Sequence, residues 1–129
     1  KRAGEVVYPE LSYEIIGASF NVFNELGWGL SELDYQRALA KEFERKGIDF
    51  KREVYVPIEY RTSIVSRYFA DFIVNNQVLL ELKIVPKLGY THAKQVLQYL
   101  RSGGLRLGIL IYFTKEGVKY RRILNPNIN

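Results

Sequence analysis

The stretch Tyr68-Phe69-Ala70-Asp71-Phe72-Ile73-Val74-Asn75-Asn76-Gln77-Val78-Leu79-Leu80-Glu81-Leu82-Lys83-Ile84-Val85 decides how this chain folds. Two runs rich in β-branched, aromatic and aliphatic residues, 68–74 and 78–85, flank three turn formers, which predicts a β-hairpin. Strand side chains alternate between faces, so Glu81 and Lys83 share one face and Leu80, Leu82 and Ile84 share the other. Loop length then sets the pairing. A two-residue turn at Asn75-Asn76 would oppose Val74 to Gln77 and Asp71 to Leu80, with Glu81 on the other face. A three-residue loop, 75–77, opposes Val74 to Val78, Phe72 to Leu80 and Asp71 to Glu81. One face is then wholly apolar (Ala70, Phe72, Val74, Val78, Leu80, Leu82), and the other gathers Asp71, Glu81 and Lys83. Register follows such consistency of faces, so the three-residue loop is expected.

Two carboxylates directly opposed on one sheet face repel each other. Burying them costs more unless they are neutralised. Lys83 offsets one charge. If Glu32 also approaches, three carboxylates face one ammonium, and a divalent cation is the simplest neutraliser. Hard oxygen ligands favour Mg²⁺ or Mn²⁺. A salt-bridged surface cluster of Asp71, Glu81 and Lys83 fits the same pattern.

The hairpin sits in an α-α-β-β-β-α-β-β order, a mixed sheet flanked by helices. Residues 1–10 read as a mobile lead-in ending at Pro9. A helix is expected over 13–26, with Ser12 as its N-cap and an apolar stripe of Ile15, Ile16, Ala18, Val22, Phe23 and Leu26. Gly27-Trp28-Gly29 breaks it, with Trp28 expected to plug the core. A second helix covers 32–46, from a capping-box-like Ser31/Asp34 pair to Gly47, with Leu33, Ala38, Leu39 and Phe43 on its apolar side. Residues 54–60 alternate as a strand, and Pro57 marks an edge or a bulge. A third helix over 91–101, closed by Gly103-Gly104, precedes strands at 105–113 and 118–124.

Composition narrows the chemistry. The chain has 129 residues, 47% hydrophobic and 26% charged, which suits one soluble globular domain. No apolar run is long enough to cross a bilayer, and nothing at the N-terminus reads as a signal peptide. With no Cys and one His, His92, thiolate and multi-His chemistry is excluded within one chain. The absence of Met suggests that the initiator is missing. The net charge of +5 is uneven: residues 1–50 carry −3 and residues 51–129 carry +8. A basic C-terminal part suggests a polyanionic partner.

Asp71, nine intervening residues and Glu81-Leu82-Lys83 resemble the Asp…Glu-x-Lys hairpin of the PD-(D/E)xK phosphodiesterase superfamily. Gly29-Leu30-Ser31-Glu32-Leu33-Asp34-Tyr35 reads Gly-x-x-Glu-x-x-Tyr, and the chain resembles the small GxxExxY family within it. Residues 92–100 resemble its following helix, including a Gln-x-x-x-Tyr motif at Gln95 and Tyr99, and residues 107–113 resemble its closing strand. The likeness covers about residues 11–124. Ala70 stands where the superfamily usually has proline, a position often replaced.

The resemblance implies a restriction-endonuclease-like αβββαβ core and a Mg²⁺- or Mn²⁺-dependent nuclease acting on DNA, or else RNA. Asp71, Glu81 and the Leu82 carbonyl would ligate the metal, with Glu32 completing the shell directly or through water. Lys83 would hold and polarise the attacking water and stabilise transition-state charge. Gln95 and Tyr99 would orient the site or touch substrate phosphate. Read from charge alone, Arg101, Arg106, Lys115, Lys119, Arg121 and Arg122 are candidates for phosphate contacts, or a solvated basic surface. His92 lies on the Gln95/Tyr99 side and is not assigned a catalytic role. A homodimer would let so small a core cut two strands, and a cytoplasmic or nucleoid-associated setting is expected. Two other classes fit: a catalytically silent nucleic-acid-binding or assembly module on the same fold, and a protein-interaction module with an acidic partner.

Overall fold

A computed structural model describes residues 7–86 and 92–127. Val74 pairs with Val78, Ile73 with Leu79 and Phe72 with Leu80, the register of a three-residue loop. Asn75 and Asn76 both hold left-handed backbone, φ 53° and 56°, which asparagine tolerates better than most residues.

The elements are α1 (Pro9–Leu26), α2 (Glu32–Lys46), β1 (Phe50–Tyr60), β2 (Ser63–Val74), β3 (Val78–Ile84), α3 (His92–Gly103), β4 (Leu107–Thr114) and β5 (Gly117–Leu124). The strands form one sheet in the order β1-β2-β3-β4-β5. Neighbours run antiparallel except β3 and β4, which are parallel. Parallel neighbours need a crossover, and α3 lies within that connection. This mixed five-stranded sheet with three helices is the α/β arrangement expected of a restriction-endonuclease-like core. Among the described residues, no helix is long and apolar enough to cross a membrane.

Two apolar layers hold the helices to the sheet. Phe72, Val74, Val78, Leu80 and Leu82 pack with Ile15, Val22, Tyr35, Leu39 and Phe43 of α1 and α2. Ile73, Leu79, Leu110, Tyr112 and Ile123 pack with Val96 and Leu100 of α3. Ala70 joins the α3 layer rather than the α1/α2 face expected for it. The β1–β2 ladder has no pair between Arg52–Phe72 and Val54–Ala70. There Glu53 takes φ 51°, and the ribbon rolls so that residues on either side of Asp71 meet different layers.

Several other expectations shift. α1 starts at Pro9, which occupies the first turn after Tyr8, a position where its missing N–H costs nothing. Ser12 is therefore buried inside the helix and is not its cap. Leu33 and Trp28 are exposed rather than packed in the core. The buried face of α2 is instead Tyr35, Gln36, Leu39, Ala40 and Phe43. β1 and β2 begin earlier than expected, and β1 is an edge strand, which accommodates Pro57. The Thr91 start of the third helix, and positions 1–6 of the lead-in, lie outside the described residues.

α3 reaches the sheet at Gly108. A Cβ there would lie 2.6 Å from Val96 Cγ1 and 3.4 Å from two Leu100 methyls. The helix end is tied down by buried Asn125, whose side-chain amide donates to the Leu105 carbonyl at 3.1 Å and the Leu100 carbonyl at 3.4 Å. Gly108→Val should lower the urea midpoint, at a cost of about 1–3 kcal/mol for an overpacked contact. Adding Val96→Ala, which removes the obstructing methyls, should restore part of the loss.

Candidate active site

The start of α2 is set by local chemistry. Ser31 Oγ accepts the Asp34 N–H at 3.1 Å, and the Asp34 carboxylate accepts the Ser31 N–H at 3.4 Å. This reciprocal box satisfies two helix-end donors. Fully buried Tyr35 donates its hydroxyl to the Gly27 carbonyl and accepts the Leu30 N–H at 3.3 Å. Gly29 holds φ 122°, a conformation that residues with a side chain rarely adopt. The Gly-x-x-Glu-x-x-Tyr segment is thus a loop tied by Tyr35, from which the helix emerges at Glu32. Glu32 and Gln36 are four apart and share the face turned to the sheet.

β2 and β3 part at the acids. Their last ladder pair is Phe72–Leu80. Beyond it, side chains take over the hydrogen bonding: Asp71 Oδ2 accepts the Leu82 N–H at 2.8 Å, and Glu81 Oε1 accepts the Asp71 N–H at 3.3 Å. Each carboxylate thus satisfies a backbone donor of the opposite strand. Glu32 reaches the same place from α2, close enough for Asp71, Lys83 and the Ile84 N–H to act on its carboxyl.

The electrostatics are those of surplus negative charge. Burial pushes the Glu81 carboxyl up to about 7, with Glu32 adding to the rise, against the pull of the Asp71 N–H and Lys83. Burial also raises Asp71, opposed by the Leu82 N–H, Lys83, Gln36 and Arg52. Burial and the Asp71 charge raise Glu32. Three acids held above their usual range beside one ammonium lack positive charge.

That deficit fits a divalent cation. Asp71 and Glu81 each give one oxygen to a backbone N–H and keep a second, and Glu32 brings a third carboxylate. With the Leu82 carbonyl they would offer hard, all-oxygen donors. Among the described residues, no three His, Asp or Glu side chains already stand at ligating distance of one point, so their free oxygens would have to draw together around an ion.

Other expected residues separate. Tyr99 stacks almost parallel on Tyr68, 8° between planes, and is close enough to Glu81 for that charge, after burial, to raise its phenol. Gln95 is exposed to solvent. His92 is depressed by burial and by Lys83, which places it beside the site. Residues paired across a sheet share a face. The row Glu81–Leu110–Arg121 and the row Lys83–Tyr112–Lys119 therefore carry Arg121 and Lys119 on the face of the acids, and both are exposed. Arg122 instead donates to the Val7 carbonyl, and Arg106 lies over the Tyr8 ring at 5.5 Å. Arg101 and Lys115 are exposed at the end of α3 and in the β4–β5 turn. Two residues near the acids carry no motif. Gln36 had one available signal, its place one turn after Glu32; Arg52 precedes the alternating pattern of its strand and had none.

A model of the PD-(D/E)XK nuclease superfamily matches residues 9–123. The crystal structure of SSO0001 superposes with a TM-score of 0.51 at 15% identity, covering 90% of this chain and 77% of that one. At that identity the likeness is one of fold. No curated protein matches.

The raised Glu81 has a consequence for stability. Its folded value, about 7, lies above the ordinary 4.5, so the folded chain holds this proton more tightly than the unfolded chain. The associated stability is present in full below about pH 4.5 and is lost as pH rises through 7, a fall of roughly 3 kcal/mol. His92, depressed below its usual value, acts in the opposite sense, so the comparison is with Glu81→Gln. Without metal, the parent should lose stability relative to that variant between pH 4.5 and 7 in urea titrations, and added Mn²⁺ should reverse the loss at pH 7.

Proposed function

Because the chain belongs to the PD-(D/E)XK nuclease superfamily, we propose that it is a metal-dependent nuclease hydrolysing phosphodiester bonds of nucleic acid, with DNA as the expected polymer. The observation that carries this reading is the meeting of Glu32, Asp71 and Glu81 with Lys83 where β2 and β3 part. The Gly29, Glu32 and Tyr35 spacing supports placement in the GxxExxY family.

Superfamily members generally use divalent metals, and here Asp71, Glu81, the Leu82 carbonyl and Glu32 would hold Mg²⁺ or Mn²⁺. A divalent cation in such a site supplies Lewis acidity and an acidified water. The chain's own residues do the rest. Lys83 places a fixed positive charge where negative charge develops on the phosphoryl oxygens and orients the attacking water. Tyr99, stacked on Tyr68, would touch a substrate phosphate, and Gln95 would join it only when substrate draws it in. Lys119 and Arg121 extend the positive charge over the acid-bearing face toward the β5 edge and would follow a nucleic-acid backbone. Arg101 and Lys115 could add contacts farther out. Arg106 and Arg122 are committed to the N-terminal segment. A homodimer would supply a second centre for a second strand.

A catalytically silent binding module draws support from one observation, the lack of a ready three-ligand cluster among the described residues. Cleavage separates the two. Purified protein should nick DNA with Mg²⁺ or Mn²⁺, and Glu81→Ala or Lys83→Ala should reduce the rate at least a hundredfold while leaving binding in place. Binding without cleavage of DNA or RNA, single- or double-stranded, would favour the silent module. The double change Lys119→Ala with Arg121→Ala should weaken binding and reduce the slope of log affinity against log salt by about 2.

A further inference from the structure

Asp71 is held from a third side, by residues that belong to no motif. Gln36 is buried, 7% exposed, on the sheet-facing side of α2. Its side-chain oxygen accepts a hydrogen bond from Arg52 Nη2 at 3.3 Å, and its amide lies near enough to the Asp71 carboxylate to pull that carboxyl's pKa down. Arginine can only donate and an ionised carboxylate can only accept. The two neighbours therefore fix the amide one way round, oxygen to Arg52 and nitrogen to Asp71.

Arg52 is itself fixed. Its guanidinium lies over the Phe72 ring, 5.6 Å from the centroid, and its Nε is buried without a hydrogen-bond partner among the described residues. A half-buried guanidinium leaving one donor unused is costly, and the arrangement persists because Phe72 beneath and Gln36 beside it fill the space. Arg52 and Phe72 are also the last β1–β2 pair before the ladder lapses at Glu53 and Asp71. The relay thus stands where the backbone gives Asp71 least support.

We infer that Arg52, Gln36 and Asp71 form a buried relay in which Gln36 and Arg52 act as positioning residues, presenting the free oxygen of Asp71 to a divalent cation. This rests on the metal-dependent reading above for its purpose, and on the contacts alone for its existence. Hydrogen bonds to a ligating carboxylate orient it, and their loss typically lowers metal affinity ten- to a hundredfold. Glu81 has the Asp71 N–H to hold it; Asp71 has the Leu82 N–H and this relay.

The test has a metal-free arm and a metal arm. In nitrogen-15 spectra of the metal-free protein, the Gln36 side-chain NH₂ should be protected from exchange, and Asp71→Ala or Arg52→Met should each remove that protection. Unchanged protection in both variants would overturn the relay. In calorimetric titration with Mn²⁺ alone, Gln36→Leu and Arg52→Met should each weaken binding about tenfold or more. The double variant should be no weaker than the worse single one, as expected of groups acting in series. Parental affinity in Gln36→Leu, or losses that multiply, would overturn the positioning role. A parent that binds no Mn²⁺ would sink the metal-dependent reading and the positioning role with it, while the exchange experiment still decides whether the relay exists. If Gln36→Leu fails to fold, Arg52→Met, with its altered group at the half-buried end, carries both arms.

Discussion

Asp71 and Glu81 stand on adjacent strands just past the end of the β2–β3 ladder, and there side chains take over the strands' hydrogen bonding. The β2–β3 ladder stops at Phe72–Leu80, and the carboxylates accept the N–H groups that the opposite strand's carbonyls would otherwise take. Two like charges in a partly dry place are unfavourable, so the neighbourhood is arranged around them. Lys83 stands two residues on, Glu32 comes near from α2, and β3 continues alongside β4 through Ile84–Phe113. The ladder that β3 loses on one side is kept on the other, so the opening does not loosen the strand.

What could be read in advance was whatever a local rule determines. The three-residue loop followed from the parity of two short runs, because a slip of one residue would have buried Asp71 against Leu80. The start of α2 followed from Ser31 and Asp34, and its end from Gly47. The convergence of Glu32 with the hairpin needed the family likeness, since helix and strand are far apart in the chain. The misses came where tertiary context decides. Ala70 changed layer because the ribbon rolls at Glu53, an irregularity without a sequence mark. Trp28, between two glycines, was expected in the core, whereas it is exposed and the core there is supplied by Tyr35. Leu33 is exposed and Gln36 is buried instead: Glu32 faces the sheet, and Gln36 shares its side of the helix.

The basic residues divide for the same reason. Nothing in the spacing of Lys119, Arg121 and Arg122 says which of them faces the acids. The β4–β5 register does, placing Arg121 level with Leu110 and Lys119 level with Tyr112, while Arg122 sits opposite Ile109 on the other face. Arg106 and Arg122 then anchor the segment before α1 through Tyr8 and Val7. The surplus of Lys and Arg after residue 50 therefore combines a structural share with an exposed share on the acid-bearing face.

The exposed share has an effect unrelated to any ligand. Among the described residues β5 ends the sheet, and one side of its backbone pairs with no strand. Its run Lys119-Tyr120-Arg121 puts two exposed cations on one face and an exposed aromatic ring on the other. Charges on an open edge discourage strand addition between molecules, and Pro57 does the same for β1 at the opposite edge by withholding a donor. Both margins of the described sheet thus carry features that discourage strand addition, and at β5 these are side chains on the acid-bearing face.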